Sequence, residues 1–243
     1  MNQRLVIALI ALFVSAAAFG QDRFALELEG GPAWQLRNDF AVPGDGGTLV
    51  RVEERGPALV ARTTLTWQMN DRWSLRFLAA PLSLRSDVVA AAPVTFEDAT
   101  FGAGETLRVN YRFDSYRVSA IRRFDTGGRW TFRAGATLKL RDAEIGLRGV
   151  ATEAVKKNRG LVPLLYGGAR LQLDERTAID VDADAAAAPQ GRAIDAAFRV
   201  ERKATDRTWV YLGARMLEGG ADNDEVDTFA TFAYLVGGLR VTW

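Results

Sequence analysis

Along most of this chain apolar and polar residues alternate with a period of two, the pattern of strands with two unlike faces. Leu59, Ala61, Thr63, Leu65 and Trp67 form one face, and Val60, Arg62, Thr64, Thr66 and Gln68 the other. Trp130, Phe132, Ala134, Ala136, Leu138 and Leu140 alternate with Thr131, Arg133, Gly135, Thr137, Lys139 and Arg141. Ile179, Val181, Ala183 and Ala185 alternate with Asp180, Asp182 and Asp184. Short turns rich in Asn, Asp and Gly take turns with longer polar segments at 38–56, 85–104, 143–160 and 218–227. The spacing predicts ten strands, at 23–37, 57–69, 72–84, 105–124, 129–142, 161–173, 176–186, 191–202, 207–217 and 227–243, with a short connection at 187–190. Eight strands is the alternative count.

One strand breaks its own parity. Leu107, Val109, Tyr111 and Phe113 alternate with Arg108, Asn110 and Arg112, but further on Tyr116, Val118 and Ala120 carry the apolar face. The expectation is a lipid-facing odd row up to Phe113 and a β-bulge near Asp114–Ser115, where one extra residue would shift the faces.

Aromatic residues bracket the short turns. Trp67 and Trp73 flank 70–72, Phe124 and Trp130 flank 125–129, Trp209 follows 205–207, Phe24 opens the first strand, and Trp243 ends the last. A row of aromatics beside short turns is the interfacial girdle of a transmembrane β-barrel, in which short turns and long loops alternate. The reading is therefore all-β, a closed antiparallel transmembrane β-barrel with up-and-down meander connectivity. An even strand count puts both termini on the periplasmic side of a bacterial outer membrane.

The first residues carry a different message. Arg4 supplies a positive start, residues 5–14 are apolar, and Ala18 and Gly20 fit the small-x-small rule. This predicts a signal peptide at 1–20, cleaved after Gly20, and a single barrel domain at 21–243. The apolar run is too short for a membrane-spanning helix, which needs about 20 residues.

Composition narrows the chemistry. The 243 residues include no His and no Cys, and 31 Lys+Arg balance 30 Asp+Glu. No disulfide, thiolate ligand or imidazole base is available. A net charge of +1 gives no field to gather nucleic acid. No phosphate-binding loop is present, because residues 44–47 lack the Lys-Ser/Thr that would follow.

With the apolar faces on lipid, the other faces line a lumen. They bring Glu27, Glu29, Arg62, Arg76, Arg108, Arg112, Arg133, Lys139, Arg141, Arg170, Asp180, Asp182, Asp184, Asp195, Arg199, Glu201, Arg215 and Arg240 inward. Buried charges need partners, so the expectation is a cross-paired salt-bridge network that fills a narrow barrel. The alternatives are a narrow small-solute or ion channel, a binding pocket, and an outer-membrane enzyme that works without histidine. The Asp180, Asp182, Asp184 row is the one carboxylate cluster on a strand face, and neighbouring Arg would keep it ionised, which does not suit a general acid.

The chain closes with Val236-Gly237-Gly238-Leu239-Arg240-Val241-Thr242-Trp243. This resembles the C-terminal β-signal of bacterial outer-membrane barrel proteins: Trp243 as the terminal aromatic, Val241 and Leu239 at alternating positions, Gly238 upstream. The resemblance implies insertion by the barrel-assembly machinery, with outer-membrane lipid and lipopolysaccharide as surroundings. It also argues against catalysis, because the lipid A deacylases, palmitoyl transferase, phospholipase and omptin proteases of this membrane depend on histidine. No cofactor is expected.

Three loop readings complete the picture. Asp222, Asp224 and Asp227 have oxygen-ligand spacing for a hard divalent cation, although a solvated loop is the plainer explanation. Lys156, Lys157 and Arg159 form a basic cluster that could meet lipopolysaccharide phosphates. The low-charge stretch from Val88 to Phe96 is expected to pack over the barrel mouth.

Overall fold

The period of two becomes fourteen strands in the computed structural model, which describes residues 23–52, 55–189 and 191–243. The export signal expected at 1–20 lies outside the described residues. In chain order the strands are β1 (Phe24–Ala41), β2 (Val50–Val52), β3 (Arg55–Gln68), β4 (Trp73–Ala80), β5 (Ser83–Val89), β6 (Val94–Phe96), β7 (Ala99–Phe101), β8 (Thr106–Asp125), β9 (Trp130–Arg148), β10 (Glu153–Gln172), β11 (Thr177–Ala188), β12 (Gly191–Lys203), β13 (Thr208–Asn223) and β14 (Val226–Thr242). Each long strand pairs antiparallel with the next, and β14 returns to β1. β4 and β5 both pair with β8 in one register, Ala80 opposite Ser115 and Ser83 opposite Arg112. They are one wall strand interrupted at Pro81, whose missing N–H breaks the ladder. The wall is a closed ten-strand up-and-down barrel.

Closure is made by β1 and β14, in register from Ala25 opposite Thr242. The main chains of Phe24 and Trp243 exchange two hydrogen bonds, of 2.9 and 3.0 Å. Both of these residues therefore sit at one end of the barrel, with the short turns; we call it the turn end and the opposite one the loop end. Two of its turns share one lock. Asn70 Oδ1 accepts from the N–H groups of Arg72 and Trp73, and Asp174 Oδ1 from those of Arg176 and Thr177. Gln68 and Gln172 then donate across the same turns to main-chain carbonyls. Such side-chain-to-backbone bonds fix turn length, and with it strand register.

The outer surface near the turn end is apolar. Leu138, Leu165, Phe198, Leu212 and Leu235 all point outward, and Leu165 is 75% exposed. A continuous exposed apolar band is untenable in water and natural in lipid.

Beyond that band the faces invert without a bulge. β8 and β9 stay in unbroken register through Asp114 opposite Asp142 and Ser115 opposite Arg141. Leu107, Val109 and Tyr111 are buried inside the barrel, while Arg108 and Arg112 project outward. The expected bulge at Asp114–Ser115 and the expected lipid-facing row up to Phe113 are both incorrect. The strand keeps its geometry and changes its surroundings: with 20 residues it far exceeds the ~9–11 needed to span. Its upper half stands clear of the apolar band and follows the ordinary rule of apolar inside and polar outside. Among the described residues the register shifts of the wall lie in β1, between Gln35 and Arg37 against β14 and between Ala33 and Gln35 against β3.

The same extension shortens the loops. Residues 143–160 and 218–227 are mostly the upper arms of the β9–β10 and β13–β14 hairpins. The loop end is closed by a plug. The hairpin β6–β7 and residues 40–52 send Phe40, Val42, Val50, Val52, Val94 and Phe96 into a core with Phe101, Leu107, Leu147 and Phe232. The low-charge stretch does pack in the barrel mouth.

Candidate functional site

The inward rows meet below the plug. In a strand one row in two faces in, so each charged side chain is aimed by its parity. β11 contributes Asp180, Asp182 and Asp184; β12 contributes Asp195, Arg199 and Glu201; β1 contributes Glu27 and Glu29. Facing them are Arg62 from β3, Arg76 from β4, Arg117 from β8, Arg133 from β9, Arg170 from β10, Arg215 from β13 and Arg240 from β14.

The charges stack in layers. Nearest the turn end, Glu201 accepts from both Arg170 and Arg240. Those guanidinium groups lie 4.7 and 5.7 Å from the Trp209 ring. Trp209 is therefore a lumen residue and not part of the girdle, because its parity matches Tyr211 and Arg215. Next, Arg199 bridges Glu27, Asp180 and Asp182, and Arg133 donates to Asp180 at 2.8 Å.

The middle layer is the driest. Asp195 accepts from Arg62 at 3.1 Å, Arg117 at 2.6 Å and Arg215 at 2.6 Å. Asp184, directly opposite Asp195 in the β11–β12 ladder, accepts from Arg76 at 2.9 Å, Arg117 at 2.9 Å and Thr137 at 2.6 Å. Two carboxylates across one strand pair repel. Arg117 resolves this by giving one Nη group to each, the fork geometry that suits guanidinium. Arg215 donates twice to Glu29, which also receives the Tyr211 hydroxyl at 3.4 Å. The Arg117 side chain is only 2% exposed.

Arg117 was not among the expected lumen residues, although the outward Tyr116, Val118 and Ala120 already imply its inward parity. Two expected members do not belong. Arg108 lies outside beside Asp87 at 3.6 Å. Arg112 lies outside between Asp114, Asp142 and Glu144, at 3.0 to 3.3 Å. Lys139 and Arg141 point inward but have no carboxylate within 4.0 Å among the described residues.

The remaining expected sites sort as follows. Phe24 stacks with Trp67 and with Trp243 at 6.4 and 6.2 Å, and Trp130 stacks on Phe132 at 5.8 Å. Trp73 and Phe124 share Arg122. These rings form an outward belt at the turn end. Leu239, Val241 and Trp243 face outward on β14, while Gly238 faces in beneath the Tyr211 ring. A Cβ on Gly238 would meet that ring at 2.3 Å, so glycine is required there. The basic cluster divides: Lys156 turns inward to Glu97 at 3.0 Å, whereas Lys157 and Arg159 turn outward to Glu144 and Asp142. Asp222, Asp224 and Asp227 are not gathered, and no group of three acidic side chains fit to hold a metal exists among the described residues.

No family model matches the chain, and no curated protein matches its sequence. Solved structures match its fold. The outer membrane protease OmpT from Escherichia coli superposes with a TM-score of 0.58 at 10% identity, over 93% of this chain and 98% of that one. The translocator domain of the autotransporter NalP from Neisseria meningitidis gives 0.42 at 10% identity, over 99% and 95%. The Ail protein of Yersinia pestis gives 0.41 at 9% identity, over 90% and 99%. The fold is that of outer-membrane β-barrel proteins.

Proposed function

We propose that this is a non-conducting outer-membrane barrel with a structural or interaction role, its lumen filled by the ion-pair network. The observation that supports this most strongly is the middle layer. Glu29, Arg62, Arg117, Asp195 and Arg215 come from β1, β3, β8, β12 and β13 and are shielded from water. Eight arginines and seven carboxylates are mutually paired through the barrel, as the layers above describe. A lumen of ten strands is only slightly wider than one that side chains fill, and the apolar plug closes the loop end a second time. A narrow ion pathway is the competing reading, and the lumen charge is what favours it.

In this reading residues 1–20 direct export, and the barrel-assembly machinery reads Gly238, Leu239, Val241 and Trp243. The turn end, with both chain ends, faces the periplasm. The outward ring of Arg112, Asp142, Glu144, Lys157 and Arg159 lies at headgroup level, beside lipopolysaccharide. No catalysis is assigned: the lumen carboxylates are engaged by arginines, and no imidazole is present to shuttle protons. The test is solute efflux. Proteoliposomes holding the refolded barrel and a trapped small sugar should retain it as well as empty liposomes. Rapid release that depends on the barrel would support the channel instead.

A further inference from the structure

The wall has a notch. β10 and β11 pair only from Leu165 opposite Ala185 down to Gln172 opposite Ala178. Above that, β10 continues to Glu153 beside β9, while β11 turns back through the short β11–β12 hairpin. Pro163, with no N–H to give, sits two residues above the last pair. The facing strand is Ala185 to Ala188, whose small side chains leave space. Behind the notch lies a cavity of about 440 Å³, within the usual range for small-molecule sites. Ile145, Val162, Ala186, Ala193, Leu217 and Phe232 form its apolar lining.

Four cations line this cavity: Lys156 is paired with Glu97 and Arg192 with Glu218, whereas Lys139 and Arg141 have no carboxylate within 4.0 Å among the described residues. Lys139 is 3% exposed, and its Nζ has no hydrogen bond or ion pair among the described residues; it lies over the Phe113 ring, 4.5 Å from the centroid. Arg141 donates to Asn158, and its Nε is buried with no hydrogen-bond partner among the described residues. The charged groups around Lys139 are Arg62, Arg117 and Arg141, together with Asp195, which already serves three arginines. A buried cation without a counter-charge is costly. Every other lumen cation in these layers has a carboxylate; these two face a cavity.

We propose that the notch binds an amphiphile with an anionic head, a carboxylate or phosphate, and an acyl tail. The head sits on Lys139 and Arg141, the tail lies along the apolar lining, and the notch between Pro163 and Ala187 admits it sideways from the bilayer. This goes beyond the closed-lumen reading and does not depend on it, because the cavity opens through the wall above the ion-pair layers.

Photolabelling tests the proposal. The mature barrel, in nanodiscs of zwitterionic lipid, is exposed to three diazirine probes: a fatty acid, a phosphatidic acid and the matching fatty alcohol. The acids should label β10 around 161–163 and the hairpin 186–193, and the alcohol about tenfold less, since it lacks the charge-assisted bond. Lys139→Met should lower acid labelling about tenfold and leave alcohol labelling unchanged. Labelling by the fatty acid alone points to a free fatty acid as source, and labelling by the phosphatidic acid points to membrane lipid; either supports the site. A second readout separates binding from structure. Lys139→Met should hold or raise thermal stability without ligand, whereas the fatty acid should raise it only with Lys139 in place. Should Lys139→Met not fold, Ala187→Trp, which fills the entrance from the outer face, should abolish labelling by itself. Equal labelling by acid and alcohol, or acid labelling untouched by Lys139→Met or Ala187→Trp, overturns the proposal. Sugar release from liposomes would overturn the closed lumen and leave this site standing.

Discussion

Replacing Asp195 with Ala perturbs the network at its most connected point. Three guanidinium groups lose an acceptor at once: Arg62, Arg117 and Arg215. Each keeps one other carboxylate, Arg62 and Arg215 sharing Glu29 and Arg117 keeping Asp184. Counting Arg76, which also holds Asp184, the layer therefore passes from four cations and three anions to four and two, in a region shielded from solvent. Removing one partner of a buried ion pair costs about 3–5 kcal/mol, and the shared geometry puts Asp195→Ala at the upper end. Asp182 has one arginine partner, Arg199, which retains Asp180 and Glu27. Its loss should cost about 1.5–3 kcal/mol, the range for a hydrogen bond to a charged group. Asp222, exposed near the β13–β14 turn, should change stability by less than about 0.5 kcal/mol. Urea unfolding in lipid vesicles, followed by tryptophan fluorescence, gives the order directly. Asp195→Asn, which keeps the shape and removes the charge, should fall on the same side as Asp195→Ala. If Asp195→Ala were no worse than Asp222→Ala, the middle layer would not be a buried, interdependent network, and the reasoning would fail.

Other perturbations read other parts of the structure. Leu138→Arg, on the lipid face, should cost about 2–4 kcal/mol near the bilayer midplane; Arg108→Leu, on the same β-wall above the band, should cost little, and equal effects in the same unfolding assay would contradict the face inversion. Phe96→Ala, at a fully buried plug position, should cost about 3–5 kcal/mol by cavity formation and expose residues 90–104 to protease, without opening a conducting path through the layers below. Gly238→Ala should displace the Tyr211 ring and cost about 1–3 kcal/mol through overpacking, seen as a loss of the fast-migrating unheated gel band.

The strands were legible because lipid and lumen impose opposite chemistry on the two faces, and alternation such as Phe132, Ala134, Ala136 against Arg133, Thr137, Lys139 records that contrast residue by residue. Above the apolar band water replaces lipid and the plug replaces the polar lumen. The same strand then carries the opposite code with no change in backbone. Alternation alone does not say which face is inside, so read by itself it assigns Arg108 and Arg112 to the lumen and calls for a bulge at Asp114. Residues 143–160 and 218–227 read as loops for the same reason, since their outward rows meet water. Trp209 shows the converse: an aromatic beside a short turn suits the girdle, but its parity with Tyr211 and Arg215 sends it inward to Arg170 and Arg240. The pairing of particular charges could not be read at all. It depends on contacts such as Arg62 with Asp195, 133 residues apart, which only barrel closure creates.

The central claim, a lumen closed by paired charges, is tested most directly by planar-bilayer recording of the purified barrel, alone and as Asp195→Asn with Glu29→Gln. The account predicts no stepwise current from the unsubstituted protein, and at most small currents from the substituted one, because the plug still closes the loop end. Steady steps from the unsubstituted barrel, proportional to salt concentration and changed in ion selectivity by Asp195→Asn, would contradict it.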